Sequence, residues 1–160
     1  MKYKLSLLVL TIIVLTQSAC VVKASIKTND PKTQYNKYVL ALKQMPVEKY
    51  FSEYWSQSAV AQGMPIIMDI SEENEFQRKA ILFSINFPAE MQNIFSIKQS
   101  VKNNLACLLV IGETDESNKI TFNIPYVFEN NSWLIKEVFI QYMEEGQETP
   151  IEPNCRPAYS

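Results

Sequence analysis

The chain has 160 residues, 47% of them apolar and 20% charged, with a net charge of −2, which is enough material for one compact domain with a substantial core. It contains no histidine and only three glycines, Gly63, Gly112 and Gly146, which removes Ser-His-Asp and Cys-His nucleophile systems, histidine bases, most transition-metal sites, and phosphate-cradling or dinucleotide-binding loops. Two arginines, Arg78 and Arg156, and scattered lysines form no stripe for a nucleic-acid backbone.

Lys2 and Lys4 precede an apolar run, Leu5 to Leu15, interrupted only by Ser6 and Thr11. The run is too short to span a bilayer and reads as a secretion signal. Two cleavage positions are open. A cut before Cys20 follows Ser18-Ala19, which resembles the end of a bacterial lipobox, although Gln17 stands where those signals carry Leu or another aliphatic residue. A cut after Ala24 is the ordinary alternative, but it lies far from Leu15 and follows the charged Lys23. Residues 1–19 are therefore expected to be a signal peptide, Cys20 the lipid-attachment site, and residues 20–31 a tether. The resemblance to bacterial lipoproteins implies an outer-membrane protein facing the periplasm, since Val21 is not the aspartate that retains such proteins at the inner membrane. Cleavage after Ala24 would give a soluble periplasmic or secreted protein. Removing residues 1–19 takes two of the 15 basic groups and none of the 17 acidic ones, so the net charge moves from −2 to −4.

Asp30-Pro31 supplies an N-cap and a proline at the first helical position. Tyr35, Tyr38, Val39, Leu42 and Met45 then follow one helical face as far as Pro46. Val47, Tyr50, Phe51, Tyr54 and Trp55 repeat at i, i+3, i+4, i+7 and i+8, a second core-facing stripe. Gly63 and Pro65 break the period, so Ile66 to Ile70 is expected as a short extended segment. Ser71 then caps a third helix, with Glu72 and Glu73 at the positive end of its dipole and Phe76, Ala80, Phe83 and Phe87 on its inner face. Pro88 ends it.

Beyond Pro88 the period becomes alternating. "NIFSIKQSVK" suits an edge strand, although Met91, Ile94, Phe95 and Val101 are also compatible with a helix. "LACLLVIGE", Leu105 to Glu113, is apolar on both faces and suits a central strand. "TDESN" is a solvated turn, lacking the alternating ligands and central glycine of an EF-hand loop. "KITFNIPYVFE" alternates strictly, with Ile120, Phe122, Ile124, Tyr126 and Phe128 on one face. "NNS" turns the chain into a last strand, Trp133 to Tyr142. Pro125 lacks a ladder donor and needs a bulge or an unpaired position.

Helices followed by an antiparallel meander make an α+β plan. The hairpin "ITFNIPYVFENNSWLIKEVFIQY", with Trp133 after a short polar turn, resembles the closing hairpin of cystatin-like domains of the nuclear-transport-factor-2-like superfamily. The resemblance covers about residues 32–142 as an order of elements, and residues 32–143 are expected to form the single domain. It implies N-terminal helices packed on a curved antiparallel meander, with a conical cavity between helices and sheet. Members include isomerases, dehydratases and cyclases as well as proteins without catalysis, so the fold leaves function open. A cone-cavity enzyme needs a carboxylate held in apolar surroundings. Asp69, between Met68 and Ile70, is the candidate, with Tyr54 or Tyr126 as hydrogen-bond donors; the competing reading makes Asp69 a surface residue ahead of a helix cap. Tyr54, Trp55, Asp69, Phe83 and Tyr126 together form the candidate ligand pocket. Without histidine or a glycine-rich loop, the composition favours a non-catalytic, envelope-tethered binding domain for a protein partner or a small apolar ligand, with no metal or cofactor and no nucleic acid. An immunity or inhibitor protein is the alternative of the same kind.

Once Cys20 is lipidated or discarded, Cys107 and Cys155 remain as a pair, and an oxidising compartment favours their disulfide. The segment 144–160, with three prolines and four glutamates, has no period and would be disordered alone. The crosslink is expected to hold it against the sheet.

Overall fold

The computed structural model describes residues 30–69 and 71–155; Cys20 and both cleavage positions lie outside them. Helix α1, Pro31–Ala41, starts as its sequence directs: the Asp30 carboxylate accepts from the Thr33 backbone N–H at 2.9 Å and from the Thr33 hydroxyl at 3.1 Å. Helix α2, Val47–Tyr54, follows Pro46 and buries Tyr50, Phe51 and Tyr54. Trp55 and Ser56 are extended, and the Ser56 N–H donates to Ile135 O at 2.8 Å, tying this corner to the sheet. The Ser56 hydroxyl then accepts from Ala59 N–H at 3.3 Å and caps α3, Gln57–Met68.

Helix α3 overturns the expected extended segment for Ile66 to Met68, since it runs through both Gly63 and Pro65 to Met68; Asp69 is extended and Ile70 lies outside the described residues. Tertiary packing outweighs the two local breakers here. A Cβ at Gly63 would lie 2.9 Å from the Phe51 ring, so the missing side chain lets α3 approach α2 closely. Burial of Ile67, 2% exposed, then holds the last turn in place. After a short 3₁₀ turn, Glu72–Asn74, helix α4 covers Glu75–Ile85. Its inner face is also not the expected one. Phe76 is 84% exposed and Phe83 46% exposed, while Ile81, Leu82 and Ile85 pack against the core. Both stripes have helical spacing, so the period alone does not choose between them. Phe87 does reach the core, but from a separate 3₁₀ turn, Phe87–Glu90, that follows the helix. Among the described residues four α-helices thus precede the sheet, where three were expected.

The five strands are β1 Asn93–Lys102, β2 Leu105–Glu113, β3 Lys119–Glu129, β4 Ser132–Ile135 and β5 Phe139–Tyr142. All named pairings are antiparallel: β1 with β2, β2 with β3, and both β4 and β5 along the other edge of β3. "NIFSIKQSVK" is therefore the edge strand, and "LACLLVIGE" is central and buried on both faces. The sheet is neither closed nor strongly curled, unlike the curved meander anticipated. Asn130 and Asn131 both have positive φ, 49° and 62°, the backbone signature of a two-residue hairpin turn that asparagine tolerates.

Pro125 explains why the last strand is divided. Its carbonyl accepts from Lys136 N–H at 2.9 Å, so the nitrogen of the same residue faces the same edge and has no proton to give. Regular pairing stops there, between Ile135 and Phe139, and resumes as β5. Helices and sheet enclose a core that includes Tyr35, Tyr38, Phe87, Phe122, Ile124 and Tyr126.

Candidate functional site

An open groove of about 490 Å³ lies where α2 ends, between α3, α4 and the interruption separating β4 from β5. Phe51 and Trp55 form its apolar floor, 5.4 Å apart between ring centroids. Ala59, Gly63 and Ile66 of α3 face Ile81 and Ile85 of α4 across it. Ser58, Gln62, Ser84, Lys136 and Glu137 supply its polar groups. Two local features create this shape: Gly63, where a Cβ would lie 2.9 Å from the Phe51 ring, lets α3 lie close against that ring, and the break imposed by Pro125 brings Lys136 and Glu137 to the opening.

Trp55 is fixed on its inner side, where the indole N–H donates to the Tyr38 hydroxyl at 3.0 Å. The Tyr38 hydroxyl in turn donates to Ile85 O, joining α1 to the end of α4. Burial raises the Tyr38 and Tyr35 phenols well above their ordinary range, so both stay neutral and act only through hydrogen bonds and packing. The ionisable lining of the groove consists of Lys136 and Glu137, both exposed. That arrangement can solvate a polar end of a bound molecule. It lacks a desolvated carboxylate positioned for proton transfer.

The five residues grouped from sequence do not come together. Trp55 lines the groove. Tyr54 packs against Tyr38, 5.5 Å between centroids, in the helical part of the core. Phe83 is exposed on α4. Asp69 caps the turn after α3 and is not enclosed by apolar side chains: its carboxylate accepts from Ser71 N–H at 2.8 Å and from the Asn74 amide at 2.5 Å. Those hydrogen bonds lower its pKa, the reverse of what a general base in an apolar cone needs. The competing reading, a surface residue just ahead of the next helical turn, therefore describes the position of Asp69. The space between helices and sheet is occupied by aromatic side chains, including Phe87 against Phe122 at 5.0 Å. Gln62, Ser84, Lys136 and Glu137 were not singled out from sequence, since no periodic pattern distinguishes them from other surface residues.

Tyr126 is fully buried and its hydroxyl has no hydrogen-bond partner. Burial holds this phenol well above its ordinary pKa. Tyr126→Phe is expected to be neutral or to stabilise by about 1 kcal/mol, because it removes an unsatisfied polar group while keeping the ring. Tyr38→Phe, by contrast, should destabilise by about 1–3 kcal/mol, since Trp55 loses its acceptor and Ile85 O its donor. Urea unfolding midpoints for the two variants measure the opposite signs.

Fold and groove together define an α+β domain with one disulfide and an amphipathic cleft on its helical side. No protein-family model, curated protein or solved structure is found to match this chain. Among the described residues, no group of three or more Cys, Asp or Glu side chains is placed to hold a metal ion.

Proposed function

We propose that this is a binding domain without chemistry of its own, which takes a small apolar ligand with one polar end into the groove between α3 and α4. The supporting observation is the groove itself: about 490 Å³, floored by Phe51 and Trp55 and ringed by a few polar groups, within the range of size and character of small-molecule sites. In this reading the apolar part of the ligand lies on the two aromatic rings and its polar end meets Lys136 and Gln62. The signal-like N-terminus supports an envelope address, with Cys20 lipidated and the domain facing the periplasm; the disulfide is consistent with an oxidising compartment. The order of elements and the Trp133 hairpin support a nuclear-transport-factor-2-like relationship. The ligand site in this proposal is nevertheless the lateral groove and not a cone between helices and sheet.

Incubation of the mature protein with a mixture of fatty acids and lysophospholipids, followed by native mass spectrometry, tests the reading. One-to-one adducts are expected with the wild type. Ala59→Phe, which fills the groove from α3, should reduce adduct formation at least tenfold while leaving the near-ultraviolet circular dichroism unchanged. Absence of wild-type adducts, or equal retention by a folded Ala59→Phe protein, overturns the assignment.

A further inference from the structure

The sheet has a second buried face, away from the helices. On it Cys107, Leu109 and Ile111 of β2 and Thr121 of β3 are each 8% exposed or less, whereas the helices pack with the alternate residues Ala106, Leu108, Val110, Ile120 and Phe122. The segment after β5 covers the outer face. Lys98 Nζ donates to Ile151 O at 2.8 Å, the Asn154 N–H donates to Asn123 Oδ1 at 2.9 Å, and Cys155 is joined to Cys107. Both hydrogen bonds engage the backbone of the segment, and Ile151 itself turns its side chain to solvent, 72% exposed. None of residues 143–155 belongs to the core formed by the helices and the inner sheet face.

We infer that residues 143–155 form a redox-controlled strap, closed by the Cys107–Cys155 disulfide over an apolar sheet face and released by a dithiol reductant while the rest of the domain stays folded. Cys155 is the partly exposed partner and Cys107 the buried one, so the incoming thiolate attacks the Cys155 sulfur and Cys107 leaves as a thiolate that takes up a proton. The second thiol of the reductant then displaces Cys155. In total, two electrons and two protons pass from the dithiol to the disulfide, giving two cysteine thiols and an oxidised dithiol. Without the crosslink, the hydrogen bonds that remain, among them Lys98 Nζ to Ile151 O and Asn154 N–H to Asn123 Oδ1 beyond the Met143–Lys119 anchor at the root, do not offset the entropy of ordering a segment containing Pro150, Pro153 and four glutamates. The segment opens as a local unit because its removal takes nothing from the helical core.

The exported protein, treated with dithiothreitol without denaturant and then with iodoacetamide, provides the test. Alkylation of both Cys107 and Cys155 is expected, with at least tenfold faster cleavage after Glu144, Glu145 and Glu148 by a glutamate-specific protease. Binding of an apolar dye should rise while the near-ultraviolet dichroism of Trp55 and Trp133 persists. Reduced protein carrying Lys98→Ala should be cleaved faster still. A disulfide that resists reduction in the folded protein, a reduced segment that remains protected, or loss of the tryptophan signal on reduction each overturns the strap.

Discussion

Cys155→Ser is expected to lower the unfolding free energy by about 4 kcal/mol in the chain-entropy account of a crosslink. The bond joins positions separated by 48 residues, a loop that includes β2 after Cys107, all of β3 to β5 and the strap. Breaking it lets that length of chain explore more conformations when unfolded. The native side of the balance changes less, because the inner core is made by helices and sheet without the strap. A loss of this size is a large fraction of the 5–15 kcal/mol typical of a domain, yet leaves it folded. Urea unfolding of wild type, Cys155→Ser and reduced wild type checks the value, with the last two expected to coincide. A variant within about 1 kcal/mol of oxidised wild type would contradict this account of the crosslink.

Gly112→Ala is expected to cost about 3 kcal/mol or more, large for the addition of one methyl group. Gly112 pairs with Ile94 of β1 and Ile120 of β3. A Cβ there would meet the Asn93 carbonyl oxygen and lie 2.5 Å from Met91 Sδ. The methionine side chain can turn aside, but the carbonyl is backbone, held next to the register shift between Ile94 and Ser96 and by the Asn93–Glu113 pairing. Gly63→Ala provides the contrast. Its Cβ would crowd the tip of the Phe51 ring and otherwise make an ordinary contact with Ile81, and better helix propensity offsets part of that crowding, so the net change stays within about 1 kcal/mol. Met91→Ala introduced beside Gly112→Ala should fail to restore stability, since the carbonyl remains. Thermal and urea unfolding of the three variants measure the ordering; a Gly112→Ala protein as stable as Gly63→Ala would remove the backbone clash as the cause.

The candidate site was only partly legible. Trp55 was marked by its stripe with Phe51, but a stripe states which residues face inward and not whether a groove or a closed core meets them. Tyr54 and Trp55 are neighbours in sequence and part company because the chain becomes extended at Trp55, where it meets Ile135, leaving Tyr54 against Tyr38. Lys136 and Glu137 enter the site because Pro125, on another strand, interrupts their pairing. That dependence runs across the sheet and leaves no mark in the local pattern around them.

By itself the sequence determined the α+β order of this domain, the starts of α1 and α2, the alternation of β3 with its Asn130-Asn131 turn, and the pairing of Cys107 with Cys155. Each of these rests on chemistry confined to a few adjacent residues, apart from the cysteine pairing, which rests on the expectation of an oxidising compartment. Only the tertiary structure decided that Gly63 and Pro65 lie inside a helix, that α4 turns Ile81, Leu82 and Ile85 inward and leaves Phe76 exposed, and that the last strand divides opposite Pro125. It also decided that the segment after β5 is tied to the outer sheet face at Lys98, Asn123 and Cys107. The physical reason is common to all of these: local propensities differ by about 1 kcal/mol or less between the alternatives, whereas burying one large apolar side chain contributes about 1.5–3 kcal/mol, so contacts between distant segments choose among conformations that the local sequence leaves nearly equal.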